Sequence, residues 1–150
     1  MAWRMLIFAG FLLAAAARAG AQDGQGAIQV LAAWSRATPG PTAAAYLELR
    51  NEAPAADRLV GAASPIAERI EIHEHRMADG VMSMGAVPSV DLPTGETVSL
   101  APGGRHLMLF GLSRPLGPGE RFSLTLRFQA GGEITVEAKV GGAGAMSPPP

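Results

Sequence analysis

The sequence contains no cysteine. Disulfides, thiolate metal sites, iron–sulfur clusters, thiol nucleophiles and any blue-copper centre that needs a Cys ligand are therefore excluded. It also lacks an excess of charge of one sign. Twelve Lys and Arg stand against thirteen Asp and Glu, a net charge of −1, so no basic surface of the kind that nucleic acid requires is present. Aromatic residues make up only 5% and charged residues 17%. No GxGxxG, no Walker-type loop and no Gly-x-Ser-x-Gly nucleophile motif occurs. What is present is apolar: 48% of 150 residues, which excludes disorder throughout and predicts one packed domain. Nineteen Gly and twelve Pro point to many turns between short elements.

The N-terminus reads as an address. Arg4 precedes the run Met5–Ala17, and Ala19-Gly20-Ala21 supplies a small-x-small cleavage pattern, the layout of a secretory signal peptide over residues 1–21. Arg18 ends the run before the roughly twenty apolar residues that a membrane span needs, so no stable membrane insertion is expected after cleavage. Ala17-Arg18-Ala19 offers a second cleavage position. No Cys follows the run, so no bacterial-type lipid anchor is expected. Cleavage after Ala21 removes Arg4 and Arg18 and moves the net charge to −3. The expected location is the periplasm or the outside of the cell, and a cysteine-free exported chain must rely on core packing.

The remaining chain reads as strands. Apolar runs at Ala27–Trp34, Thr42–Arg50, Arg58–Ala62, Glu68–Met77, Val81–Val87, Thr97–Leu100, His106–Leu112, Phe122–Phe128 and Ile134–Val140 are each closed by Gly, Pro, Asn or Asp. Phe122, Leu124, Leu126 and Phe128 alternate strictly, the period of a half-buried strand. Asp79-Gly80 is a hairpin signal. No amphipathic helix of ten residues or more is evident. Eight or nine short strands with turn signals predict an all-β, two-sheet Greek-key sandwich over residues 22–140. Residues 141–150, Gly- and Pro-rich with Met146 as their one chemically distinctive side chain, are expected to be a flexible extension.

The chemistry gathers in one stretch. Beyond residue 21 the chain has three His (73, 75, 106) and five Met (77, 82, 84, 108, 146), and seven of these eight lie in the 36 residues from His73 to Met108. In an extended strand, residues i and i+2 share a face. His73/His75, Met82/Met84 and His106/Met108 are such pairs. The Asp79-Gly80 turn folds the His73 strand back beside the Met84 strand, so two imidazoles and two thioethers converge near one edge of a sandwich. Taken singly, a Met is ordinarily core filler and a His a surface or hydrogen-bonded residue. The Met82/Met84 pair is also compatible with an adaptable contact surface, which would make the domain a non-metal interaction module. Jointly the pattern favours a soft metal. Thioethers bind hard cations poorly, and Zn prefers Cys, His and carboxylate. Uncharged thioether and imidazole donors suit Cu(I). Glu71 and Glu74 read as solvated strand residues.

At these residues the sequence resembles the periplasmic copper chaperone family PCu(A)C, whose signature is His, ten residues, Met, twenty-one residues, His-x-Met. His73, Met84 and His106-Leu107-Met108 meet that spacing without a gap. Ala33-Trp34-Ser35-Arg36-Ala37-Thr38-Pro39, Thr42-Ala43-Ala44-Ala45-Tyr46 and Pro102-Gly103-Gly104 match as well, and the resemblance covers about residues 28 to 140. It implies a cupredoxin-like β-sandwich that binds one Cu(I) through His73, Met84, His106 and Met108 without catalysis. It implies delivery toward the copper centre of cytochrome c oxidase, to the copper-centre subunit itself or through a thioredoxin-like assembly protein. The Met that some members carry directly after the first His is replaced by Glu74, and a His/Met-rich tail is missing. His75, Met77 and Met82 are candidate auxiliary ligands during exchange. A copper storage or tolerance protein without a dedicated acceptor fits the same residues.

Overall fold

The computed structural model describes residues 27–150; the expected signal over residues 1–21 lies outside the described residues. Ten strands follow in order: β1 (Ile28–Arg36), β2 (Thr42–Asn51), β3 (Asp57–Ala63), β4 (Arg69–Ala78), β5 (Val81–Ala86), β6 (Val90–Leu92), β7 (Thr97–Leu100), β8 (His106–Phe110), β9 (Arg121–Phe128) and β10 (Gly132–Gly141). Among the described residues there is no helix, and so none long and apolar enough to cross a membrane. The strand that the sequence did not announce is β6. Its three residues lie between Pro88 and Pro93, too short for alternation to register, yet Val90 and Leu92 are buried.

Alternation builds the core. Phe122, Leu124, Leu126 and Phe128 all point inward from β9, and Leu107 and Leu109 from β8. They meet Leu47, Leu49, Leu59, Leu92 and Leu100 in one cluster. Hydrogen-bonded neighbours run β5-β4-β8-β2-β1-β10-β9-β3-β6, with β7 also on β2. Beyond these pairings, β3 packs against β4 and β2 against β6. Chain neighbours such as β2 and β3, or β8 and β9, are not ladder neighbours, so the chain crosses between the two halves as a Greek-key sandwich requires. The pairing of β1 with β10 is parallel.

Polar side chains hold the turns. Buried Asn51 donates through Nδ2 to the carbonyls of Leu92 (2.8 Å) and Ala55 (3.0 Å), and its Oδ1 accepts from Ala53 N. The Asp57 carboxylate accepts from the amides of Arg58, Ala130 and Gly131, fixing the β9–β10 turn to the start of β3. Gly111 follows β8 with φ of 65°, in the left-handed region that favours glycine. Residues beyond β10 run back along β1. Arg36 Nε donates to the Ala145 carbonyl at 2.7 Å and its guanidinium approaches Met146 Sδ. Pro148 and Pro149 share a groove of about 270 Å³ with Val30, Trp34 and Lys139.

Candidate metal centre

Residues paired across antiparallel strands share a face, so the ladder shows what lies beside what. Ile72 pairs with Leu107 and Ile70 with Leu109, and these make the inner side. His73 pairs with His106 and Glu71 with Met108 on the outer side. On the next strand His75 pairs with Met84 and Met77 with Met82. Thus the period-2 spacing read from the sequence places His73, His75, Met84, His106 and Met108, together with Met77 and Met82, on one outward face of β5, β4 and β8. Met146 lies apart from them, on the tail beside Arg36.

The two imidazoles named by the motif are held in complementary ways. His73 Nε2 lies 2.8 Å from Glu71 Oε2. The Glu71 carboxyl is held below its usual pKa, chiefly by that hydrogen bond and then by Arg69. An ionised carboxylate only accepts, so in the neutral ring Nε2 carries the proton and Nδ1 the lone pair. Nδ1 is buried and has no hydrogen-bond partner, a costly state for a polar atom without a ligand. At His106, Nδ1 faces the Gly104 carbonyl at 3.3 Å, which leaves the Nε2 lone pair free. Burial pushes the His106 pKa down, against the Gly104 carbonyl, with His75 and His73 adding to the downward shift. Both rings therefore offer a neutral nitrogen donor, each oriented through its other nitrogen. That is the usual support for a metal-bound imidazole.

The ring centroids of His73 and His106 are 5.9 Å apart, tilted by 49°. Phe110 stands 5.9 Å from His73 and Tyr46 6.4 Å from His106, aromatic walls on either side of the pair. Exposure grades along the face. His106 is 4% exposed and Met84 47%, while Met108 is half-buried.

Two features escaped the sequence reading. Glu71, read there as a solvated residue, is the partner of His73; the i, i+2 spacing on one face was the available signal. His75 lies nearer to His106 than His73 does, with centroids 5.5 Å apart. The register of β4 against β8 decides that proximity, and spacing along the chain does not encode it. Among the described residues, no three His, Asp or Glu side chains converge as a metal site.

Comparison with known proteins gives the family and the fold. Residues 28–140 match the family described as LpqE-like lipoproteins. A protein of Leifsonia xyli subsp. xyli named as a lipoprotein, Lxx21020, is 37% identical over 114 residues, 75% of this chain and 69% of the relative. Among solved structures, the copper-bound PCuAC domain from PmoF2 superposes with a TM-score of 0.66 at 28% identity, over 77% of this chain and 93% of that domain. The solution structure of CuI-DR1885 from Deinococcus radiodurans gives 0.61 at 36% identity, over 85% of each chain.

Proposed function

Because the chain belongs to the LpqE-like family and shares its fold with PCuAC domains, we propose that it is a copper chaperone. In this reading it holds one Cu(I) through His73 Nδ1, His106 Nε2 and the thioethers of Met84 and Met108. The observation that carries the reading is the orphaned lone pair of His73, buried and without a partner while Glu71 occupies its other nitrogen. The copper-bound PmoF2 domain and CuI-DR1885 support copper as the cargo.

The same arrangement accounts for release. The imidazoles are recessed and oriented, whereas Met84 stands at the exposed rim. Thioethers are neutral and weakly held compared with thiolates. An acceptor's ligands displace Met84 first, then Met108, and take the ion from the outward face without opening the core. The acceptor proposed is the copper-centre subunit of cytochrome c oxidase or a thioredoxin-like copper assembly protein. No bond of a substrate is made or broken, so the role is carriage and not catalysis. Residues 1–21 are proposed to direct export to the periplasm, and recovery there of a chain beginning at Gln22 is the expected result of N-terminal sequencing.

X-ray absorption of the Cu(I)-loaded protein is expected to count two nitrogen and two sulfur neighbours. The double variant Met84→Ala and Met108→Ala is expected to lose Cu(I) retention while keeping its β-rich circular dichroism. Retention equal to the parent's would overturn the ligand assignment. Copper transfer to an apo-oxidase domain separates a chaperone from a storage protein, which has no dedicated acceptor.

A further inference from the structure

β4 outruns its neighbour. Its pairing with β8 stops at His73–His106, but its pairing with β5 continues through His75–Met84, Met77–Met82 and Ala78–Val81. Residues 74–78 and 81–85 thus form a two-stranded ribbon beyond the sandwich, closed by Asp79 and Gly80 at φ of 51° and 73°. A ribbon of this kind is marginal by itself in water, and Met is not among the residues that a strand favours. Yet the four positions on its outward face, 75, 77, 82 and 84, are all His or Met. Met77 and Met82 are 65% and 61% exposed, so they fill no core.

We propose that His75, Met77 and Met82 form a second soft-metal site, a docking station through which Cu(I) passes on its way to and from the recessed imidazole pair. Met77 and Met82 are direct cross-strand partners, which places their Cβ atoms about 4.5–5.5 Å apart, a span that two flexible thioethers close around one ion. His75 lies two residues from Met77 on the same face, and its ring stands 5.5 Å from that of His106. Donors therefore continue along the ribbon in steps of about 6.6 Å: the exposed Met77–Met82 rung, the His75–Met84 rung, then His73–His106. One nitrogen and two neutral sulfurs make a three-coordinate set that a soft monovalent cation accepts and a hard divalent one does not. The ion is handed between rungs by exchange of one donor at a time and never crosses open solvent bare. The proposal rests on the Cu(I) reading of the inner site, and it extends that reading to the ribbon.

Ag(I), soft, monovalent and redox-inert, is the probe. The whole chain, labelled with ¹³C at its methionine methyls, is titrated while methyl shifts are followed and native mass spectrometry counts bound ions. The first equivalent is expected to move Met84 and Met108, and the second Met77 and Met82. The variant Met77→Leu with Met82→Leu keeps apolar side chains of similar volume. It is expected to retain the first equivalent, lose the second and take up Cu(I) from a chelator complex about tenfold more slowly. If the variant binds two equivalents like the parent, or if the parent binds one without any shift at Met77 and Met82, the ribbon site is overturned and the inner one stands. If the first equivalent leaves Met84 and Met108 unmoved, the inner ligand assignment is the one that fails.

Discussion

Glu71 shows how much one side chain decides. Its carboxylate occupies Nε2 of His73 and leaves buried Nδ1 as the nitrogen without a partner. Loss of such an outer partner typically lowers metal affinity about 10–100-fold. Glu71→Gln is expected to weaken Cu(I) binding within that range, measured by competition with a chromogenic chelator, with little change in thermal midpoint because the Glu71–Arg69 pair is surface-exposed. An affinity equal to the parent's would count against an orienting role. The shared face of the His and Met pairs was legible in strand periodicity and the Asp79-Gly80 turn, whereas the choice of His73, Met84, His106 and Met108 came from the resemblance to PCu(A)C. Glu71 and the nearness of His75 were not legible, since hydrogen-bond choice and inter-strand register depend on how β4 meets β8.

Strand β8 divides its labour by side. Leu107 and Leu109 are fully buried in the core, while His106, itself buried, and half-buried Met108 lie on the opposite side of the strand. Leu107→Ala is expected to cost about 2–5 kcal/mol through lost burial and the cavity left behind. Met108→Leu is expected to leave the unfolding midpoint nearly unchanged and to impair copper retention. Denaturant titration with parallel binding measurements tests the split, and coupled losses in both variants would contradict it. The loop before β9 carries its own acid response. The amide of Gly117 and then Arg114 hold the Glu120 carboxyl below its usual pKa, so the folded state favours its ionised form. That contribution is present above the ordinary carboxylate value near 4.5 and is lost as pH falls through the lowered one. Glu120→Gln is therefore expected to unfold with a shallower dependence on pH below 4.5 than the parent, with the two curves differing mainly by a constant above it. Nine of the ten strands were visible as apolar runs between turn residues. β6 was not, because three residues between prolines carry no period.

At the scale of the whole molecule, the segment after β10 lies against β1, where Arg36 holds Ala145 and sits 5.8 Å over the Tyr46 ring. Trp34, its ring tilted against that of Tyr46 at 4.6 Å, is buried and is the one tryptophan among the described residues. Removal of residues 145–150 is expected to uncover it and shift its emission to the red, with far-ultraviolet circular dichroism preserved; unchanged emission would show that other groups shield it. The sandwich itself followed from composition and turn spacing. The return of the tail did not, since Gly- and Pro-rich sequence carries no pattern that says where it will lie.

The His73–His106 nest also has an electrical consequence. In the proposed site each donor is uncharged, because the second nitrogen of each neutral ring is taken up by Glu71 or Gly104. In the proposed site, loading of two neutral rings adds one whole positive unit to a chain of small net charge. Filled and empty molecules should separate on an anion exchanger, the filled ones leaving first. An acceptor bearing an acidic rim would tell the two apart before any donor had been exchanged.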